Sequence, residues 1–430
     1  MSRQARRPRR DAPSTAVPRT EDVGTVALLR RNRGFARLAL SNFFFACAIW
    51  IMNVGAALFV YDLTESTLWV GGVSVAQFAL MILLAPVGGS LIDRVDKFNL
   101  LVAGQCVSAV GAGGVALWVW LTNVDTTKPW PVLVAAGVIG GGIAVTTPCA
   151  QAMLPSIVAP AEMPQAVAFY SGVFNIGRAV GPAIATALIV TLGPAAMFTA
   201  SVLAYGAVIV LLLGLPNRAA SAREPSDAFP PGMLAAVRHV ARDRALLIPL
   251  ACVLSVGFAI DPPMTLAPAM SDLLGGGERL AGSFPSAFGF GAITAILCVS
   301  ALRRALGPDG LRVLGLTTLG TGMIVFGFSR IPLVSVVALF VAGIGFLVAN
   351  TSLTAAVHEA SPDALRGRVM ALWSIAFLGA RPLASSFNGL VSDRLTPRVG
   401  CVIAGLVALI AASALRRWTS HRRAVLAPAA

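Results

Sequence analysis

Charge, histidine and paired cysteine are what this chain has least of, and each shortage removes a class of protein. Only 12% of its 430 residues are charged while 57% are hydrophobic, a balance under which a soluble domain of this length would aggregate. The three histidines, His239, His358 and His421, stand far apart, so neither a metal site nor a histidine-based triad is expected. The six cysteines are scattered singly, without a C-x-x-C spacing, and read as small packing residues. No Gly-x-x-x-x-Gly-Lys-Ser/Thr loop occurs and the polar segments are too short for a nucleotide-binding domain, so no ATP site and no cofactor are expected. The ionisable residues are too dispersed for the acid, base and nucleophile of a membrane-embedded enzyme. A cleavable leader is not expected either: the first 37 residues are polar and Arg-rich, and the apolar run after them is longer than an h-region.

Apolar length is what the chain has in abundance. Runs of about 20 apolar residues match the roughly 30 Å hydrocarbon core of a bilayer. Twelve such spans are expected, at 36–60, 68–92, 99–122, 131–154, 165–190, 195–215, 244–270, 280–302, 311–329, 333–357, 367–391 and 398–415. An even count puts both termini on one side. The segments on that side (the tail to Arg37, Arg94 with Lys97, 216–244, 303–312, 358–368 and 416–430) hold 26 Lys and Arg, against five on the other. The positive-inside rule therefore predicts cytoplasmic termini and a multi-pass protein of the cell membrane. The net charge of +14 is then an orientation signal and an attraction to anionic lipid, with no need for nucleic acid.

The fold expected is all-α: a basic tail over 1–35, a six-helix bundle over 36–215, a polar linker over 216–243, a second six-helix bundle over 244–415 and a tail over 416–430. A faint repeat relates the halves. Tyr170-Ser171 followed by Arg178 matches Trp373-Ser374 followed by Arg381, and both arginines are offset by 203. Two pseudo-symmetric bundles would place these two helices in equivalent positions.

The short charged link Gly89-Ser90-Leu91-Ile92-Asp93-Arg94-Val95-Asp96-Lys97, between two apolar runs, resembles the Gly-x-Leu-x-Asp-Arg-x-x-basic signature of the major facilitator superfamily. Three further stretches, Tyr61-Asp62-Leu63-Thr64, Leu154-Pro155-x-x-Val158 and Leu365-Arg366-Gly367-Arg368-Val369-Met370-Ala371-Leu372, are similar to the branch typified by the enterobactin (siderophore) exporter and its drug-efflux relatives. The resemblance implies a secondary transporter that exports a small organic molecule by alternating access, in exchange for protons, working as a monomer. Multidrug efflux without a siderophore role, a nutrient importer of the same fold and a transport-dead sensor are the other readings. The chain departs from the pattern at Ala301-Leu302-Arg303-Arg304, which lacks the acid, and in the fourth span, which lacks the arginine linked to proton transfer elsewhere.

Two groups of candidate residues follow. The resemblance implies gating by Gly89, Asp93, Arg94 and Lys97 against the helix that begins at Arg366, Gly367 and Arg368. Asp93 would meet the partial positive charge of that helix start. Arg94 and Lys97 have Glu162, Glu359 and Asp363 as possible partners. Gly177, Gly181 and Pro182 resemble the Gly-x-x-x-Gly-Pro motif of exporters, in which two small residues let helices approach and a proline bends the chain. Within spans, Arg178 and Arg381 are expected to hold an anionic group or to pair internally. Asp261, followed by Pro262 and Pro263, is the candidate proton carrier, with a surface aspartate on a shortened helix as its alternative. Asn53, Gln77, Tyr170 and Trp373 are candidate lining residues, although membrane Asn and Gln also serve as interhelical glue.

Overall fold

The computed structural model describes residues 25–92, 95–122, 128–215, 233–362 and 365–426. Among them there is no strand, and the helices follow the apolar runs. In chain order they are α1 (Thr25–Arg31), α2 (Arg33–Thr64), α3 (Thr67–Ile92), α4 (Lys97–Leu121), α5 (Trp130–Ile157), α6 (Met163–Leu192) and α7 (Pro194–Leu213). After the polar segment come α8 (Met233–Arg242), α9 (Arg244–Ala259), α10 (Pro262–Thr265), α11 (Ala267–Leu273), α12 (Gly277–Phe328), α13 (Pro332–Ala360), α14 (Arg366–Arg394) and α15 (Pro397–Leu426). Local chemistry sets several of these limits. Asn32 caps α2 by accepting from the amide of Phe35 at 2.9 Å, and Asp96 caps α4 by accepting from Asn99 at 2.8 Å.

Eleven of these segments are long and apolar enough to cross a bilayer, against the twelve expected. The difference lies in α12, whose 52 residues would form a rod of about 78 Å if straight. It is not straight. Gly307 takes φ 68° and ψ 174°, a conformation open to glycine, and Pro308 follows it. The rings of Phe284 and Phe326 lie 5.0 Å apart edge to face, where a straight helix would hold them about 63 Å apart. The element is therefore a hairpin of two antiparallel arms, and counting the arms separately gives twelve rods among the described residues.

Each half builds a core. One cluster runs from Leu28 to Leu215, includes Phe35, Phe198 and Tyr205, and is joined across the seam by Ala281; the other runs from Cys252 to Leu415 and includes Phe284, Phe326 and Phe346. Three expectations need correction. The linker over 216–243 contains α8, whose Val240 packs with Leu246, Leu250, Val357 and Val369 because one face of this short helix is apolar. The outer bounds shift, since α1 and α2 begin inside the tail expected over 1–35 and α15 runs past 415 to Leu426. The span at 244–270 is three pieces, because Pro262 and Pro263 lack the amides that would continue α9.

The halves meet along two helix pairs. In one, α3 runs antiparallel to α14: a Cβ at Gly71 would sit 2.5 Å from the Ser385 carbonyl oxygen, and one at Gly389 would sit 2.8 Å from that of Thr67. In the other, α6 meets the first arm of α12, with Gly289 against Ala179 and Gly282 against Thr186. Bare glycine surfaces are what permit such backbone approach.

Candidate functional site

The break after α9 is where charge enters the interior. Asp261 is fully buried, which removes the surface-aspartate reading. Its carboxylate accepts from Thr265 Oγ1 at 3.0 Å, Ser385 Oγ at 2.5 Å and Asn388 Nδ2 at 2.8 Å. Ser385 and Asn388 follow Arg381 on α14 at four and seven residues, so one helical face delivers all three side chains to the break. Arg381 is itself buried, and the cleft that it lines is bordered by Ile260 and Pro263, on either side of Asp261 in the chain. Three donors offset part of the cost of placing a carboxyl group inside a protein.

Arg178 stands in a different setting. Its guanidinium carbon lies 5.0 Å from the ring of Trp50, 4.6 Å from that of Phe346 and 5.8 Å from that of Phe288. Trp50 belongs to its own half, the two phenylalanines to the other. Such contacts contribute about 0.5–2 kcal/mol each, more as water is excluded. Its neighbours seat the helix: a Cβ at Gly177 would meet Ala46 Cβ at 2.7 Å, and one at Gly181 would meet Trp50 Cβ at 2.7 Å. Pro182 is buried in the same helix, with its carbonyl accepting from Thr186 Oγ1 at 2.8 Å. Arg381 reciprocates across the seam, 5.0 Å over Phe78 of the first half.

The two arginines line one narrow cleft between the halves, with Trp50, Phe288, Pro263 and Met264, and it has room for about one water. An adjoining cleft brings Asn53, Gln77, Ser74 and Phe78 to the other side of Arg381. In the first cleft every polar side chain is a hydrogen-bond donor: Arg178, Arg381 and Trp50. Trp50 Nε1 and Arg381 Nε are buried there without a hydrogen-bond partner. The arrangement presents donors and positive charge, with Asp261 as the nearby negative group.

The remaining candidates fall elsewhere. Tyr170 lines neither cleft; its carbonyl accepts from Asn42 Nδ2 at 2.8 Å. Trp373 also lies outside, stacked on Phe377 at 5.3 Å, and Phe377 stacks on Phe346 at 6.5 Å, so a ladder of rings leads from Trp373 to Arg178. Asp93 and Arg94 lie outside the described residues, as does Asp363. Gly89 falls in the last turns of α3, Lys97 opens α4, and Arg366, Gly367 and Arg368 form the first turn of α14. Two of the acids considered for Arg94 and Lys97 have other partners: Glu162 pairs with Arg31, and Glu359 lies 4.0 Å from Arg303 and Arg312. Phe78, Phe288, Phe346, Thr265 and Ser385 were not singled out from sequence. For Ser385 a signal existed, since it stands one turn beyond Arg381.

The likeness to known proteins runs along most of the chain. It is 24% identical to the staphyloferrin A transporter of Staphylococcus aureus over 357 residues, 82% of this chain and 88% of that one. It is 24% identical to the enterobactin exporter EntS of Escherichia coli over 413 residues, 91% and 95% of the two chains. In fold it matches a point mutant of the nucleoside transporter NupG with a TM-score of 0.74 at 12% identity, covering 89% of this chain and 99% of that one. A bacterial homologue of the lysosomal transporter Spinster, in an inward-facing and unoccupied conformation, matches with a TM-score of 0.71 at 14% identity, covering 89% and 95%. The sequence profile of the transmembrane secretion effector family matches residues 23–424, and the chain belongs to that family of major facilitator membrane transporters.

Proposed function

We propose that this transporter exports a small, acceptor-rich organic anion of the siderophore kind across the cell membrane, in exchange for protons carried by Asp261. The observation that carries the reading is the cleft whose polar lining consists of donors alone, two of them guanidiniums. A ligand with carboxylate, phenolate or similar oxygens satisfies those donors; a cationic drug meets repulsion from both arginines. Two relatives support the choice of cargo by name, one a staphyloferrin A transporter and one an enterobactin exporter. The Gly177-x-x-x-Gly181-Pro182 motif favours outward movement of cargo.

In this reading the twelve rods span the bilayer with both termini in the cytoplasm, and the two bundles rock about the arginine cleft. The link from Gly89 to Lys97 and the α14 start at Arg366, Gly367 and Arg368 form the cytoplasmic gate. A proton moving inward down 100 mV supplies about 2.3 kcal/mol toward uphill efflux. The decisive experiment uses purified protein in liposomes with an imposed pH gradient and iron-free catecholate or carboxylate chelators as cargo. Gradient-dependent accumulation with counter-movement of protons is expected. Accumulation of cationic dyes in preference to anions would reject the reading. Asp93→Asn should leave the protein in the membrane and cut flux by up to about thirtyfold, the equivalent of a charge-to-helix contact of up to ~2 kcal/mol; wild-type flux would remove Asp93 from the gate.

A further inference from the structure

The link that suggests the cytoplasmic gate has a counterpart in the second half of the chain. In the sequence, Gly89-x-x-x-Asp93-Arg94 begins in α3, which runs to Ile92, and Gly389-x-x-x-Asp393-Arg394 closes α14, its antiparallel neighbour in the other half. The second copy is described in full. Asp393 accepts from Ser66 Oγ at 2.5 Å, Thr67 N at 2.8 Å, Thr67 Oγ1 at 2.5 Å and Leu68 N at 3.2 Å. Thr67 Oγ1 also lies 3.1 Å from the Gly389 carbonyl oxygen. A carboxylate at the end of one bundle thus caps the first turn of a helix in the other.

Helix starts carry amides with no partner of their own, and a residue just before the helix ordinarily satisfies them. Ser66 holds that position for α3, yet its hydroxyl donates to Asp393. We infer that Asp393 is a reversible latch that holds the two bundles together at the Thr67 end, and that it must release Thr67 and Leu68 before the arginine cleft opens there. On release, the Ser66 hydroxyl is placed to turn and accept from the freed amides of its own helix. That exchange of one cap for another keeps the opening step within thermal reach. The glycine at Gly389 is part of the device, since a side chain there would strike Thr67 and Leu68.

The test needs no substrate, so it stands or falls apart from the proposed cargo. In a variant with the native cysteines replaced, Met264→Cys places a thiol in the cleft. A membrane-impermeant maleimide is then applied to each side of oriented vesicles in turn. Asp393→Asn should raise labelling from the side bearing residues 61–68 about tenfold, as expected from losing charge-assisted hydrogen bonds present in only one state. It should lower labelling from the opposite side. A second variant adds Ser66→Cys and Asp393→Cys to Met264→Cys, with labelling scored at position 264 alone by peptide mass mapping; oxidation should block labelling of that position from the first side, and treatment with a reductant that is removed before the maleimide is added should restore it. Unchanged labelling in Asp393→Asn overturns the latch, and so does labelling that persists once a disulfide between the two introduced thiols of the second variant has been demonstrated. Should Asp393→Asn fail to reach the membrane, Thr67→Val must give the same direction of change.

Discussion

The equivalent helices α6 and α14 carry equivalent arginines, yet the two arginines keep different company. Arg178 is surrounded by the rings of Trp50, Phe288 and Phe346. Arg381 has one ring, Phe78, and shares its helix face with Ser385 and Asn388, which donate to the carboxylate of Asp261. The difference extends to the helix packed against each arginine's own. Gly181 of α6 packs on Trp50 of α2, an unbroken helix, whereas Ser385 of α14 meets Asp261 at the helix break after α9, where two prolines follow. The first half thus sets a ring beside its arginine helix and the second half an acid. Ligand binding and proton handling can then reside on opposite halves of one cleft.

The sharpest way to break this comparison is Asp261→Asn, which keeps the shape and removes the charge. Uphill transport should fall about a hundredfold, equivalent to roughly 2.7 kcal/mol, while downhill exchange of cargo survives. Liposome flux with and without a pH gradient checks it, and equal loss in both would mean that Asp261 does not couple the proton. Next in size is the contrast between the arginines. Arg381→Ala strands a buried acid, so stability should fall by about 3 kcal/mol along with cargo affinity; Arg178→Ala should weaken cargo about tenfold at an unchanged or raised melting temperature, because no acid is left unpaired. Thermal unfolding in detergent separates the two. A double-mutant cycle should then give a coupling of about 1–3 kcal/mol between Asp261 and Arg381 and close to zero between Asp261 and Arg178. The smallest effect belongs to Trp50→Phe, which keeps a ring for Arg178 and deletes the Nε1 donor. Cargo affinity should drop about threefold to tenfold, the range for one hydrogen bond, as read by ligand-dependent tryptophan fluorescence of the remaining indoles.

Much of this architecture was legible in the chain because a bilayer enforces a simple rule on length and polarity. The two arginines, the acid and the prolines beside it stood out because ionisable groups are rare in such spans. Their partners did not stand out. Phe78, Phe288 and Phe346 are three of 21 phenylalanines, and nothing in an apolar run distinguishes a ring facing a guanidinium from one facing a lipid tail. Burial of Asp261 was hidden for a related reason: its position along the helix suggested the surface, while the side chains that enclose it come from α14, more than 120 residues later. The apolar pattern breaks between 302 and 311, and the hairpin of α12 turns there at Gly307-Pro308. Helix α8 escaped notice because the prolines at 225, 230 and 231 gave the whole segment a loop-like composition.

The cage of rings around Arg178 also bears on the half of the proposed exchange cycle that runs without cargo. A bare guanidinium turned through a low-dielectric interior would stall there. Aromatic faces borrowed from both lobes give that charge an alternative shell, so a cargo-free carrier would already be solvated for the return journey. Cargo held at this arginine would then compete with three resident π-clouds, which would temper its grip and speed its departure.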